Sequence, residues 1–218
     1  MIGYRISKED LEKEINKQKK GWLTDAKKSW SDVKPVYMRL QGDSKCGYCE
    51  RKLESEEFGK GEQAVDHFRP KNGLKAWDNA SLPGVPVTTV PPDAKGYSAL
   101  TYHPLNYVAA CNPCNSILKR DFFPVAGAYH TDGDDPIALQ AEELPYLIYP
   151  IGNFDENPED LIRFNALSPC PVHAEGYCRN RALVTIAFFH LDDETKRKNL
   201  FRERALLISA FYPLLKAN

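Results

Sequence analysis

Two Cys-x2-Cys pairs constrain this chain more than anything else in it: Cys46-Gly47-Tyr48-Cys49 and Cys111-Asn112-Pro113-Cys114. A tight turn at each pair points two sulfurs at one ion, and four thiolates close a tetrahedral Zn2+ site with no open position. Zinc bound there would be structural. Any fold must then bring the two pairs together, and chemistry must come from what they clamp. Asp66-His67, inside Val65-Asp66-His67-Phe68-Arg69-Pro70-Lys71, is the candidate, with Asn115 directly after the last cysteine.

Bulk composition narrows the setting. The 218 residues are 42% hydrophobic and 27% charged, the balance of a globular chain with a real core. A formal net charge of -1 marks no dedicated polyanion binder, so affinity for nucleic acid would need a local patch. No run approaches the roughly 18 apolar residues of a membrane span. The opening MIGYRISKEDLEKE has no apolar signal core, which predicts a cytoplasmic protein. In that reducing compartment six cysteines read as metal binding, with buried free thiols or redox pairs as the other readings.

Hydrophobic spacing predicts a helix over 7–30, with Ser7 three residues before Asp10 as a capping-box variant and Leu11, Ile15, Trp22, Leu23 and Trp30 inward. Its lysines read as a solvated face. A second helix is expected over 32–40, with Pro35 in its first turn. Ala64-Val65 reads as a strand entering Asp66-His67, ended by Pro70 and Gly73. The proline-rich stretch 79–96 is an extended surface loop, and 97–102 is expected to be the second strand of a hairpin across it. Residues 115–120 look helical. Residues 145–150, bracketed by prolines, suggest an edge strand or extended segment. Helices over 179–190 and 194–215 finish the chain, capped by Asp192-Asp193, with Val184, Ile186, Phe188, Phe189, Leu200, Leu206, Leu207 and Ile208 as packing residues. The expected class is α+β: an N-terminal helical segment (1–40), a zinc-stabilised core (41–125) and a mainly helical appendage (126–218).

The chemistry follows from residue type. Asp66 and Asn115 offer oxygen ligands to a hard cation such as Mg2+ or Mn2+, which keeps waters for a phosphate. His67, with an ordinary pKa near 6.5, is suited to take a proton from water. Adjacent strand side chains point to opposite faces, so both serve one site only if the backbone turns at the Pro70 bend. Together they read as metal-assisted hydrolysis of a phosphodiester. The bland readings are a core histidine and a turn-capping aspartate. Arg69, Lys71, Lys119 and Arg120 form a basic cluster that could contact phosphates or lie solvated. Cys170, His173 and Cys178 fit no familiar zinc spacing and read as a loop with inert thiols, while His103 could approach the metal.

Cys46-x2-Cys49, Asp66-His67, Asn106, Cys111-x2-Cys114-Asn115 and Lys119 together resemble the signature of zinc-containing HNH nucleases, the ββα-metal superfamily. That resemblance implies a ββα core in which His67 is the general base, Asp66 and Asn115 hold the catalytic metal, and Asn106 braces the loop that orients the histidine. It also implies that Lys119 lies near the phosphate backbone. A narrower likeness, carried by Cys46 to Glu50, Asp66 to Lys71, Phe123-Pro124, Pro145 to Pro150 and Thr185-Ile186, is to PtuB-like HNH subunits of Septu-type and retron anti-phage systems. It implies a partner ATPase of PtuA type, for which Phe188, Phe189, Phe211 and Tyr212 could supply a surface if they are not core. Two other readings stay open: an RNase of the same fold, perhaps acting on tRNA, and a non-catalytic zinc-ribbon adaptor.

Overall fold

The computed structural model describes residues 1–216 apart from 26, 43, 56 and 60, with side chains to residue 212. Its class is α+β. Gln63–His67 (β1) and Tyr107–Cys111 (β2) pair antiparallel, with Gln63 opposite Cys111 and His67 opposite Tyr107. All five residues of β2 are buried, so the strand shows no alternation to announce it. The strand expected over 97–102 is instead a 3-10 helix, Ser98–Leu100. Tyr97 and Leu100 are both buried, and a three-residue turn puts positions i and i+3 on one side. A second 3-10 turn, Pro104–Asn106, then delivers the chain to β2.

Behind β2 the chain forms a π-helix, Pro113–Lys119, with Pro113 in its first turn, where a missing N–H costs nothing. The wide turn closes on a hydrogen bond from Arg120 N to Asn115 O at 2.8 Å. Single π turns are rare and recur at functional sites. The order is therefore strand, long loop, strand, helix, but with a different second strand from the one expected. Gly96 ends the 79–96 loop against the carbonyl of Asn72, where a Cβ would collide with backbone.

Around this hairpin the helices are shorter than their sequence patterns suggest. Lys8–Gln18 (α1) is capped by Ser7, whose Oγ accepts from Asp10 N at 3.1 Å, and it buries Leu11 and Ile15. It stops well before residue 30, because Gly21 turns the chain at φ 77° into the 3-10 helix Trp22–Thr24. A further 3-10 turn, Trp30–Val33, leads into Lys34–Leu40 (α2), with Pro35 at its start as expected.

The C-terminal part begins with Pro136–Glu143 (α3) and Pro158–Leu161 (α4). Next comes a small hairpin that the sequence reading missed, Ile162–Asn165 (β3) with Ser168–Pro171 (β4). Gly176–Phe188 (α5) and Lys198–Lys216 (α6) end the chain. Residues 145–150 form no strand beyond the bridge of Pro145 to Val125, and they are interior: Tyr146, Leu147, Ile148 and Tyr149 are buried, and Arg181 of α5 donates to Leu147 O while gripping Asp155 through both terminal guanidinium nitrogens at 2.7 Å. Asp193 accepts from Lys196 N, so 194–197 form a turn ahead of α6. Leu200 packs as expected. Leu206, Leu207 and Ile208 do not; they are 61%, 59% and 43% exposed, and Phe211 and Tyr212 are exposed beside them. Buried side chains from Met1 to Leu200 belong to one apolar cluster. No helix among the described residues is long and apolar enough to cross a membrane.

Candidate functional site

Four thiols converge where the hairpin meets the π-helix. One Sγ atom from each of Cys46, Cys49, Cys111 and Cys114 lies within 4.8 Å of the others; all four residues are buried and none is in a disulfide. Cys49 and Cys111 sulfurs are 3.8 Å apart. Tetrahedral Zn–S bonds of about 2.3 Å require sulfurs separated by about 3.8 Å. The donor set and its spacing thus fit a metal such as zinc. Local geometry explains the convergence. Gly47 donates to Ala109 O and sits so close to Val108 that a Cβ would clash, which presses the first cysteine turn onto β2. Cys114 Sγ accepts from Arg197 Nη2 at 3.3 Å, tying the approach to α6 to the cluster.

On the other side of the π-helix lies a pocket of about 210 Å³ lined by Asp66, His67, Lys71, Asn115, Arg120 and Asp121, among others. Asp66 and His67 end β1 and send their side chains different ways, yet both reach this pocket. Asp66 Oδ2 accepts from Tyr48 OH at 2.6 Å, and Tyr48 stacks on Phe189 at 4.4 Å. Burial pushes the Asp66 carboxyl up to about 6, against the pull of Lys119 and of the Tyr48 hydrogen bond. The His67 ring sits edge-on to Trp30 and Tyr107, each 5.2 Å away. Its Nε2 is 2.9 Å from Thr101 O. A carbonyl only accepts, so Nε2 carries the proton and Nδ1 keeps the free lone pair. Burial holds this imidazole down at about 4, opposed by the Thr101 hydrogen bond and assisted by Lys71 and Lys119.

Asn106 is fully buried outside the pocket. Its Oδ1 accepts from Arg69 N at 2.7 Å, and its Nδ2 donates to Arg69 O and Leu100 O. It therefore staples the chain leaving His67 to the chain just before Thr101, whose carbonyl orients the ring.

Septu protein PtuB of Bacillus mycoides (strain KBAB4) is 29% identical over 83 residues, 38% of this chain. The matched part is 23% of that protein, so the chain spans under a quarter of the length of the curated relative it matches. No protein-family model matches the chain, and no solved structure does.

Two of the four expected phosphate contacts line the pocket and two do not. Lys71 and Arg120 are there, Arg120 exposed and held at φ 45° by a tight turn closed from Phe122 N to Lys119 O. Arg69 is fully buried, its Nε 2.9 Å from Glu143 Oε2, with its guanidinium over the Phe123 ring at 5.3 Å. Burial rules out the phosphate contact expected at Arg69, and the ion pair with Glu143 takes its place. Arg69→Ala should cost about 3–5 kcal/mol, because it strands a buried carboxylate. Urea unfolding measures this, and a loss below about 1 kcal/mol would contradict the structural role. Lys119 is buried too. Its Nζ lies 3.4 Å from His67 O, burial pushes its ammonium down, and Asp66 and Asp121 pull it back up. It balances charge beneath the pocket and does not offer it to solvent.

Tyr48 and Asp121 escaped the sequence reading. Tyr48 was visible only as a spacer between cysteines, and Asp121, ion-paired to Lys75 at 3.2 Å, only as one acid among many. His103 does not line the pocket; its Nδ1 accepts from Leu105 N at 3.1 Å and caps a turn. Cys170 and Cys178 belong to no metal cluster among the described residues.

Proposed function

We propose that this chain is a metal-dependent endonuclease that hydrolyses phosphodiester bonds in nucleic acid, DNA by preference. The observation that carries this reading is the pocket itself, where a carboxylate, a proton-free imidazole nitrogen and an amide meet beside a four-thiol cluster. The strand–strand–helix order around it is what a ββα-metal core requires. Asp66 and Asn115 would hold Mg2+ or Mn2+, and the hard oxygens of both groups suit such an ion. When bound, that ion stabilises charge on the phosphoryl and leaving oxygens. His67 Nδ1 takes the proton from the attacking water, its ring fixed by Thr101 O and, one step back, by Asn106. Lys71 and Arg120 supply positive charge for the phosphate. Zinc at the four cysteines holds the π-helix, and so Asn115, against β1.

The likeness to PtuB suggests a place in anti-phage defence, working with an ATPase subunit of PtuA type. The exposed apolar residues of α6 supply the surface that such a subunit needs. Co-purification with an ATPase of this kind, lost on Leu207→Asp, is the expected result, and full regulated activity of the lone chain would oppose it. The nuclease reading is tested on plasmid DNA and on tRNA with Mg2+ or Mn2+. Cleavage should require the added ion and disappear with EDTA; a protein inert on both polymers would remove the reading.

A further inference from the structure

A second pocket lies across the π-helix from the catalytic pocket. It measures about 390 Å³, with Cys49, Cys111 and Pro113 on one side and the approach to α6 on the other, and Arg51, Lys196, Arg197 and Lys198 lining it. No carboxylate is among its lining residues. In a chain whose formal net charge is -1, four cations around one cavity need a reason.

Charge balance with the metal cluster gives part of it. Four thiolates around Zn2+ leave two negative charges, and Arg197, 3.3 Å from Cys114 Sγ, is committed to them. Burial pulls the Arg197 guanidinium down while the neighbouring sulfurs of Cys114 and Cys49 raise it, with a net rise. Lys196 is shared with Asp193 at 3.5 Å. Arg51 and Lys198 are left over: neither has an ion pair among the described residues, and Lys198 is exposed. The cluster therefore does not account for all four.

We propose that this basic pocket binds backbone phosphate of the nucleic-acid strand being cut, a few nucleotides from the scissile bond. The inference rests on the nuclease reading above and adds to it a second contact site with its own residues. Spacing supports it. Pro113 lines this pocket and Asn115 the catalytic one, and two peptide steps of 3.8 Å put their Cα atoms at most about 7.6 Å apart. A helix with its side chains is about 10–12 Å across and a strand carries a phosphate every ~3.4 Å along its axis, so about three or four phosphates cover the distance from one side to the other. Two pockets on either side of one helix then grip the strand at two points, which fixes its register before any chemistry.

The test uses the zinc-loaded 218-residue chain with His67→Gln, which removes the proton acceptor so that binding is read without cleavage. Affinity for a fluorescently labelled DNA duplex is measured between 50 and 200 mM salt, then repeated after adding Arg51→Ala and Lys198→Ala together. Two lost phosphate contacts should weaken binding roughly tenfold or more near 0.1 M salt and flatten the log–log salt slope by about 1.8. Bound zinc and the thermal melt should stay unchanged, which separates this from damage to the cluster. The same affinity and slope in the doubly substituted protein would overturn the second site and leave the nuclease reading standing. No binding before those substitutions would overturn both. Competition by inorganic phosphate equal to that by oligonucleotide would also overturn it, by marking a pocket for a small free anion.

Discussion

His67→Ala should lower the proposed metal-dependent cleavage by about 10²- to 10⁴-fold, the usual worth of a positioned general base. Bound metal at the four thiols should stay the same, because His67 is not part of that cluster. Since the ring also packs on Trp30 and Tyr107, His67→Gln is the cleaner variant. Its amide can still donate to Thr101 O but cannot take a proton at neutral pH. Cleavage surviving either change would remove His67 from the mechanism.

The pH dependence has a definite sign. Burial holds the folded imidazole at about 4, below its ordinary value. At neutral pH it is therefore neutral, and in the proposed nuclease its contribution to rate should fade only as pH drops toward 4. The stability linkage runs the same way. Between about pH 6.5 and 4 the unfolded chain takes a proton on this residue and the folded chain does not. The contribution is complete above 6.5 and is lost as pH falls through that window, on the order of 3 kcal/mol. Asp66, raised to about 6, works oppositely: its contribution is present below about 3.8 and lost as pH rises through 6. Comparing urea unfolding of the parent and His67→Gln proteins at pH 7 and pH 4.5, both without divalent cation, isolates the histidine. The parent should lose more stability on acidification. Equal losses would mean that the ring is not buried as described.

Removing the zinc that the four cysteines would hold should do more damage than removing any side chain of the pocket. Structural zinc binds with about 10–16 kcal/mol of apparent free energy at neutral pH, and a domain this size is stable by only about 5–15. A strong chelator, or Cys114→Ala, should therefore unfold the region and not merely loosen it. Cys114 is fully buried, and its sulfur meets Arg197, so the approach to α6 should come loose with the π-helix. Far-UV circular dichroism together with a zinc-release assay reads this out, with one zinc per chain expected. A chelated protein with an unchanged thermal melt would show that the four thiols hold nothing structural.

What could be read from the chain alone was what depends on neighbours in sequence. The cysteine pairs announce themselves because a metal turn is built from four consecutive residues. Asp66-His67, the cap at Ser7 and the start of α2 at Pro35 are equally local. The second strand was not, since Tyr107–Cys111 is buried on both faces and carries no period, while the buried pair Tyr97 and Leu100 mimics a strand but fits a three-residue turn. The roles of the charges were least legible. Arg69 looks like its neighbour Lys71 until Glu143, 74 residues away, turns it into a buried ion pair. Leu206 and Leu207 look like core until the fold leaves both more than half exposed on α6. Sequence determined which atoms could bind metal and move a proton, because that chemistry belongs to residue type. Only the tertiary structure decided which charges meet water, because burial is set by partners far along the chain.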